Sequence, residues 1–503
     1  MLSTANRLSQ PSTNASKGTF ERWALIGVLV VWVAMVAAML SWVALYGFNV
    51  PWREDWFMVP ALVGKEPHPL EWLWAQTVEH RTPIQRAIYL LLLRTSDGDF
   101  RIGMIADVVA LGAICIFMLL MARHLRGGKT RLADAFFPLT LLHLGHTEHI
   151  FLGYNIQFAI STALIFAWLM IVVGKPWPLS PKIAVTAGLT LVLLPLSGGN
   201  GMIFTPVVVL WFAAGAFRYR RDMTTSARWV VAFQIGCICV AIALFCLYFV
   251  GYRHETPPNP GILLTIKTAV RLVGMSLGPV GAGTGRIFPQ SLIGIFFCVV
   301  GCLLWASAVV PLSRGLRSIC SAERSRVIGL VMFAAAMGVL ILAIAVGRAG
   351  WVQLWGGLAN RYALLSAPGL CAAYFAWMLY GPDMARDRVG IAFAIAVLFA
   401  LPFNVRTGLG YRDIYVAGMR AFEQDFAKGL SWQELGERHE KFLMDWNNPA
   451  VMKGMQMLQE AQMGPWKVHR SKLSQGARCV FGSVLMRWII SDAADGEDGA
   501  EGG

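Results

Sequence analysis

The chain has 503 residues, of which 56% are hydrophobic and 14% are charged. Soluble domains average roughly 25% charged residues, so this composition excludes an ordinary soluble enzyme, a disordered chain and a disulfide-rich scaffold. The formal net charge is +14, and because much of it lies in short loops between apolar runs, it does not indicate nucleic-acid binding. Apolar runs recur along most of the chain, which predicts an all-α, polytopic membrane protein.

Eleven segments are candidates for membrane-spanning helices, because a helix needs about 20 apolar residues to cross the hydrocarbon core. The eight clear candidates are 23–47, 102–122, 156–173, 229–251, 291–312, 327–346, 362–380 and 389–403. Three further candidates are short or broken: 135–145, 183–196 and 202–217. The predicted fold is therefore a bundle of about eleven transmembrane helices.

The distribution of Lys and Arg predicts the orientation, because short cytoplasmic loops retain positive charge during insertion. When the segments outside the predicted spans are taken alternately, the set that begins with the N-terminal tail contains 19 Lys or Arg. The other set contains 11 when the C-terminal tail is left out. The N-terminus is predicted to be cytoplasmic, and an odd number of spans places the C-terminal tail outside. The predicted divisions are a cytoplasmic tail (1–22), a transmembrane domain (23–404) with outer loops 48–100 and 252–289, an extracytoplasmic helical tail (405–491) and a disordered acidic end (492–503).

The first outer loop contains two segments that resemble helices lying in the membrane interface. Residues 69–81 place tryptophans beside charges, and residues 83–93 form a second apolar stretch that is too short to span. We expect the two helices to frame a cavity at the membrane surface. The tail after residue 404 alternates acidic and basic residues around spaced apolar ones, which predicts surface helices packed on the outer loops.

An acidic pair, Glu54 and Asp55, lies between Trp52 and Trp56 directly after the first span. Carboxylates held at a lipid boundary are partly desolvated, which raises a pKa and suits one of them to accept a proton. The pair could equally bind a divalent cation, which is the one cofactor that these residues indicate. The alternative is a capping or interfacial anchor motif.

The same loop contains Glu79, His80 and Arg81, which combine an acid, a titratable imidazole and a phosphate-binding guanidinium. A solvated helix end is the alternative interpretation. A different chemistry is indicated by His143, His146, Glu148 and His149, since the i to i+3 spacing of the first two places both on one helix face. That group has the ligand types for zinc or another transition metal, and a polar funnel lining or ordinary packing are the alternatives.

An acidic pair after the first span, followed by interfacial helices and a many-span body, resembles the GT-C superfamily of integral-membrane glycosyltransferases. Residues 153–158, 198–201 and 360–362 are also similar to patterns in poorly characterised bacterial members of that group. The likeness covers the topology of roughly residues 20–405. It implies transfer of a sugar from a polyprenyl-phosphate carrier on the outer face of the bacterial cytoplasmic (inner) membrane.

The resemblance also implies roles for particular residues. The family's acidic loop residue acts as general base or metal ligand, and its pair is more often Asp-Glu or Asp-Asp than the Glu-Asp found here; we expect Asp55 to be the base. Basic residues would hold the carrier phosphate. The candidates for substrate and phosphate binding are Glu79, His80, Arg81, Lys267, Arg271, Arg286, Arg361 and Tyr362.

Arg361 lies at the outer end of a predicted span. The alternative to phosphate binding is a snorkelling arginine that anchors the helix end.

The expected partners are the lipid bilayer, a polyprenyl-phosphate-linked sugar and an acceptor of unknown identity, which is an envelope glycan, lipid or protein. Two other functions remain open: a transporter or flippase for a lipid-linked or small solute, and a non-catalytic envelope-assembly protein. Asp107, the main acidic residue inside a predicted span, is the feature that a transport site would need.

Overall fold

A computed structural model describes residues 12–77, 79–174, 179–219, 225–253, 255–282, 292–317, 321–444 and 446–470. Within these residues nearly all regular structure is helical, and one sheet is present, in which β1 (Gln76–Thr77) pairs antiparallel with β2 (His80–Arg81). The predicted all-α class is therefore confirmed. Arg286 and the predicted acidic end, 492–503, lie outside the described residues.

The helices alternate between long apolar ones and short connecting ones. In chain order they are α1 (Ser12–Tyr46), α2 (Val59–Leu62), α3 (Pro69–Trp74), α4 (Pro83–Thr95), α5 (Arg101–Leu125), α6 (Phe136–Leu141), α7 (Thr147–Ile150), α8 (Ile156–Gly174), α9 (Pro181–Leu193), α10 (Gly199–Tyr219), α11 (Thr225–Phe249), α12 (Ile262–Gly274), α13 (Leu292–Ser307), α14 (Val309–Leu316), α15 (Ser321–Trp355), α16 (Tyr362–Tyr380), α17 (Asp383–Ala427), α18 (Trp432–Leu443) and α19 (Asn448–Glu460). Short 3-10 helices lie between them at Arg53–Met58, Leu132–Ala135, Leu144–His146, Gly153–Asn155, Pro195–Ser197, Met275–Leu277, Pro279–Ala282 and Gly464–Arg470.

Nine segments of the described chain are long and apolar enough to cross a membrane. They are Glu21–Tyr46, Arg101–Leu125, Gly153–Gly174, Gly199–Phe217, Arg228–Phe249, Leu292–Leu316, Glu323–Leu354, Tyr362–Tyr380 and Asp383–Ala427. They include all eight clear predicted spans and the predicted span at 202–217. The chain thus has the architecture of a multi-pass membrane protein, because in lipid each such helix satisfies its own backbone hydrogen bonds.

The long helices define two ends of the bundle. The helices α1 and α5 pack against each other, and residues 47–100 connect the end of α1 to the start of α5. We call the end that carries this loop the loop side, and the other end the opposite side. At the opposite side Arg126 pairs with Asp134 at 2.6 Å and Lys129 pairs with Glu21 at 3.0 Å.

Residues 132–155 connect the two sides in pieces and not as one helix. Asp134 is held at the opposite side by Arg126, whereas the backbone N–H of Tyr154 donates to Asp55 at the loop side. Between them lie only the six-residue helix α6, the four-residue helix α7 and 3-10 turns. Nearly every residue from Phe136 to Ile150 is buried, so protein surrounds this interrupted backbone, as a broken segment at membrane depth requires. The predicted span at 135–145 is therefore not a continuous helix.

A second short segment, α9, has 13 residues and ends before Pro195, which cannot continue a hydrogen-bonded helix. Its continuation reaches the loop side, where the backbone carbonyl of Ser197 accepts a hydrogen bond from Gln85 at 2.5 Å. This segment corresponds to the predicted span at 183–196. At about 20 Å, α9 alone is shorter than a typical hydrocarbon core of about 30 Å.

The helical tail packs on the first loop. Helix α17 has 45 residues, about 68 Å, so it extends well beyond a bilayer, and the predicted boundary at 404/405 falls inside it. The Trp52 Nε1–H donates to the Phe442 carbonyl at 2.8 Å, and the rings of Trp56 and Trp466 meet edge to face with centroids 6.4 Å apart. The predicted surface helices of the tail are thus present and cover the segment that carries the acidic pair.

The first loop differs from the prediction in one place. The predicted helix at 69–81 ends at Trp74, and Gln76–Thr77 and His80–Arg81 form the paired strands β1 and β2. Arg81 explains the change, because its guanidinium is bonded to the end of α11, which holds the chain in an extended conformation there. The second predicted helix is present as α4.

Candidate functional site

Asp55 is fully buried in the 3-10 helix that follows α1. Its Oδ1 accepts hydrogen bonds from the Tyr89 hydroxyl at 2.9 Å and from the Tyr154 backbone N–H at 2.8 Å. Its Oδ2 accepts from the Trp52 backbone N–H at 3.2 Å. Burial raises the pKa of Asp55 to about 7, because it outweighs the three hydrogen bonds that favour the charged form.

Glu54 occupies a different environment from its neighbour, although the two are adjacent in sequence. Its side chain is half-buried, and its Oε2 has no hydrogen-bond partner among the described residues. It is close enough to Arg361 and Tyr411 for its charge to act on both. Arg53, just before it, has a positive φ of 49°, a backbone conformation that is uncommon for a residue with a side chain. Of the two carboxylates, Glu54 is therefore the one with an oxygen that accepts no hydrogen bond.

Glu79 and His80 lie beside two arginines. The Arg348 guanidinium binds the Glu79 carboxylate with both terminal nitrogens, at 2.9 and 3.2 Å. Burial, and then the positive charges of Arg348 and Arg361, lower the pKa of His80 to about 3. His80 is therefore a neutral imidazole at physiological pH, able to donate or accept one hydrogen bond but not to provide a positive charge.

Arg81 holds the end of a helix. Its guanidinium donates to the carbonyl oxygens of Trp74, Tyr248 and Val250 at 2.9, 3.0 and 2.8 Å. The last two carbonyls belong to the C-terminal turn of α11, which has no other intrahelical donors to satisfy it. This geometry uses three of the five guanidinium N–H groups on backbone carbonyls, which anchors Arg81 to the end of α11.

Arg361 precedes α16, and the charge of Glu54 acts on it. Its Nη1 lies 3.7 Å from Oε1 of Glu148, whose Oε2 accepts the backbone N–H of Asn360 at 2.7 Å. The Arg361 Nε has no hydrogen-bond partner among the described residues. Tyr362, the next residue, is buried, and the Arg348 guanidinium lies over its ring at 5.9 Å. Arg361 is thus an incompletely paired cation close to the carboxylate of Glu54.

The structure assembles a larger cluster than the sequence indicated. Glu54, Glu79, His80 and Arg361 were singled out in the sequence, whereas Arg348 was not. Arg348 follows directly after a run of 21 uncharged residues, 327–347. Its position as a single charge at the end of an apolar run is the signal that could have identified it.

Two predicted phosphate ligands belong to another element. Lys267 is exposed and Arg271 is half-buried on α12, a short helix that packs on α13 and α15. Burial lowers the pKa of Arg271. Helix α12 also exposes Ile262, Leu263 and Ile266, as expected of a helix lying against lipid. No hydrogen bond or ion pair joins Lys267 or Arg271 to the acidic pair in the described residues.

The predicted metal ligands are not brought together as one group in the part of the chain that the structure describes. Within the described ranges, no group of three or more His, Cys, Asp or Glu side chains is arranged to hold a metal ion. The rings of His143 and His146 stack with centroids 4.2 Å apart, whereas Nε2 of His149 lies 3.6 Å from Oδ2 of Asp107. Sequence spacing placed the three histidines together, but the interrupted backbone of residues 132–155 directs them to different neighbours.

Comparison with known proteins gives no relative for this chain. No family model matches it, and no curated protein matches its sequence. The function is therefore argued from the geometry of the loop-side cluster alone.

Proposed function

We propose that the protein is an integral-membrane glycosyltransferase of the GT-C type, which transfers a sugar from a polyprenyl-phosphate carrier to an envelope acceptor. The observation that carries the proposal is the difference between Glu54 and Asp55. We call these two residues the carboxylate pair. Glu54 has an unpartnered oxygen close to the incompletely paired cation Arg361, and both lie at the end of a membrane bundle. A base beside an anion-binding group is what transfer from a phosphate carrier requires.

In the proposed reaction Glu54 accepts the proton of the acceptor hydroxyl. The hydroxyl oxygen forms a bond to the anomeric carbon, and the bond from that carbon to the phosphate oxygen breaks. The carrier phosphate leaves with the electron pair, and Arg361 offsets its negative charge. Attack opposite the leaving group inverts the configuration of the anomeric carbon.

Asp55 has a supporting role in this scheme. Its oxygens already accept three hydrogen bonds, from Trp52, Tyr89 and Tyr154, so it fixes the position of the loop that presents Glu54. The proposal thereby moves the base from Asp55, favoured in the sequence, to its neighbour. The proposal includes no metal ion, because either carboxylate can act with protein groups alone.

The proposal places the loop side outside the cytoplasmic membrane. Nine segments of the described chain are long enough to cross, and we infer two further crossings, one by residues 132–155 and one by α9 with its continuation, which would make eleven. In the proposed orientation the start of α1 and the Lys- and Arg-rich connections, which share the opposite side, face the cytoplasm, because short cytoplasmic loops retain positive charge. Polyprenyl-linked sugars presented at the outer surface would then lie on the same side of the membrane as Glu54.

Glycan and lipid-linked sugar profiling of membranes tests the function. We compare cells that carry the wild-type protein, Glu54→Gln, a deletion, or the control Glu71→Gln, which alters an exposed acid in the same loop. We expect the same glycan loss and carrier accumulation in Glu54→Gln and in the deletion, and a wild-type profile in the control. A wild-type profile in Glu54→Gln would refute the assignment of the base, and one in the deletion would refute the function.

A second candidate function has one specific observation in its favour. Transporters place charged residues and interrupted helices at membrane depth, and the interrupted segment 132–155 lies beside the buried Asp107. Purified protein in proteoliposomes separates the two functions. Flux of a lipid-linked sugar without any glycosyl product would favour transport.

A further inference from the structure

A second polar site lies at the opposite side of the bundle, away from the carboxylate pair. It is a cleft of about 280 Å³, part of which is open to the surroundings, between the start of the interrupted segment and the helices α16 and α17. We call it the arginine cleft. Its charged lining among the described residues consists of three guanidinium groups and one carboxylate: Arg126, Arg131, Arg386 and Asp387. This excess of positive charge favours a negatively charged ligand.

The arginine cleft lies at the level where three membrane-spanning segments have an end: Arg101–Leu125, Tyr362–Tyr380 and Asp383–Ala427. Arg126 directly follows the first segment, Trp377 lies in the last turn of the second, and Arg386 lies in the first turn of the third. Tryptophan and arginine at the ends of spans are typical of the level of the lipid headgroups. Leu132 and Met384, near two of the arginines in sequence, are 56% and 82% exposed, as expected of side chains that face lipid. The cleft is therefore at the depth of a lipid headgroup.

Arg126 is fixed in the wall of the cleft. Its Nη1 donates to both oxygens of Asp134, at 2.6 and 2.8 Å, and its Nη2 donates to the Tyr374 hydroxyl at 3.2 Å. Asp134 also accepts from the Tyr374 hydroxyl at 2.8 Å and from the Arg131 backbone N–H at 2.9 Å. Because Asp134 is only 1% exposed and does not line the cleft, its charge holds the wall together and does not face a ligand.

The other two arginines of the cleft are less completely bonded. Arg131 pairs with Asp387 through Nη1, and its side chain is 42% exposed. Arg386 donates from Nη2 to the Gly381 carbonyl at 3.2 Å and pairs with the exposed Asp383 at 3.1 Å. The Nε of Arg386 is buried and has no hydrogen-bond partner among the described residues. A guanidinium has five N–H groups, and these contacts involve one terminal nitrogen of each, so both arginines can donate further hydrogen bonds.

The three guanidinium groups lie close enough together to repel one another. Burial, and then the nearby charges of Arg126 and Arg386, lower the pKa of Arg131. The surroundings add to this charge, because residues 121–135 and 381–390 contain six Lys and Arg and three Asp. A phosphate group would offset the repulsion, and the planar guanidinium is the side chain that matches phosphate oxygens best.

We propose that the arginine cleft binds the phosphate group of an anionic membrane lipid. The phosphate oxygens accept hydrogen bonds from Arg131 and Arg386, and the acyl chains lie against exposed apolar side chains beside the cleft, such as Leu132. Basic pockets between membrane helices at headgroup level bind anionic lipids in this way. A free phosphate ion offers the same oxygens, and the test below separates the two sources. The inference does not depend on the proposed function, because the cleft is at the other end of the bundle from Glu54.

Thermal melting of the full-length protein in a nonionic detergent measures the binding. We add dioctanoyl phosphatidylglycerol, zwitterionic dioctanoyl phosphatidylcholine or inorganic phosphate, and obtain a Kd from the dependence of stability on ligand concentration. We expect phosphatidylglycerol to raise the melting temperature and the other two to leave it unchanged. Equal stabilisation by inorganic phosphate would keep the phosphate site and overturn the lipid as its source. Equal stabilisation by phosphatidylcholine, or none by any of the three, would overturn the site.

Charge variants show whether the lipid binds in the cleft. Arg131→Gln and Arg386→Gln should each raise the Kd for phosphatidylglycerol by about tenfold, because each removes a charge-assisted hydrogen bond. Arg388→Gln removes the same charge from an exposed position of α17 that does not line the cleft, and it should keep the wild-type Kd. Each Kd is measured against the lipid-free melting of the same variant, so lost ion pairs do not affect it. An unchanged Kd in both cleft variants, or an equal rise in Arg388→Gln, would overturn the proposal.

Gly390, which also lines the cleft, allows a test that keeps every charge. A Cβ at this position would lie 3.8 Å from Ala133 and from Tyr374, an ordinary contact, so a side chain can begin there without a clash. Gly390→Leu should occupy part of the cleft and raise the Kd for phosphatidylglycerol. Gly390→Ala is the folding control and should melt no lower than the wild type, because alanine favours a helix. A wild-type Kd in Gly390→Leu would show that the lipid binds elsewhere and would overturn the assignment of the cleft.

Discussion

Replacing Asp55 with asparagine removes the carboxyl group on which three segments of the loop side converge. In the folded protein one oxygen accepts from Tyr89 and Tyr154, and the other accepts from Trp52. The asparagine carbonyl can keep the first two hydrogen bonds. Its amide then points a donor at the Trp52 N–H, which is itself a donor, and two buried donors remain unsatisfied.

The loss of stability in the Asp55→Asn variant follows from these hydrogen bonds and from the pKa of Asp55. A buried donor that loses its partner costs about 1–3 kcal/mol, so the variant should be less stable than the wild type by about that amount at pH 5. The pKa of Asp55 is raised from 3.8 to about 7, so the folded protein binds this proton more tightly than the unfolded chain. The contribution of Asp55 to the free energy of unfolding is largest below about pH 4. As the pH rises through 7, roughly 4 kcal/mol of this contribution is lost.

Asparagine carries no such proton, so the difference between the two proteins depends on pH. We expect the variant to melt below the wild type at pH 5, the gap to shrink through pH 7, and its sign to reverse above that pH. The measurement is thermal melting in detergent at a series of pH values, with Glu71→Gln as the exposed control. A gap that stays constant from pH 5 to pH 9 would refute the argument, because it would mean that Asp55 is already charged at pH 5.

Three further changes test other parts of the site. Glu54→Gln should lower the rate of sugar transfer by about 10²–10⁴-fold, the usual contribution of a general base, without a change in melting temperature, and transfer within tenfold of wild type would exclude the role. Arg81→Lys should lower stability by about 1–3 kcal/mol, because one ammonium cannot replace three guanidinium bonds to carbonyl groups. The KM for the carrier should not change. A raised KM with intact stability would instead support a role of Arg81 in phosphate binding. Gly153→Ala should displace Tyr89, because the new Cβ would overlap the Tyr89 hydroxyl. The variant should therefore have the same melting temperature and transfer rate as Tyr89→Phe. If neither variant differs from the wild type, the hydrogen bond from Tyr89 to Asp55 contributes nothing.

The amino-acid sequence alone determined the architecture of the bundle. Helices such as α5 and α16 were predicted within a few residues, because lipid forces an apolar segment to satisfy its backbone hydrogen bonds internally. The position of the carboxylate pair directly after the first predicted span also identified it as a feature of the loop side. The weak apolar runs at 135–145 and 183–196 already differed from the others, and the structure has an interrupted segment at the first and the 13-residue helix α9 at the second.

Only the tertiary structure decided what the individual polar residues do. Arg81 is bound to Tyr248 and Val250, nearly 170 positions away, and Arg348 meets Glu79 across 269 positions, so no local pattern could assign either partner. Glu54 and Asp55 are neighbours in sequence, yet one has an oxygen without a hydrogen bond and the other accepts three hydrogen bonds. The physical reason is that hydropathy acts along the chain, whereas hydrogen bonding and burial depend on which distant segments meet in space.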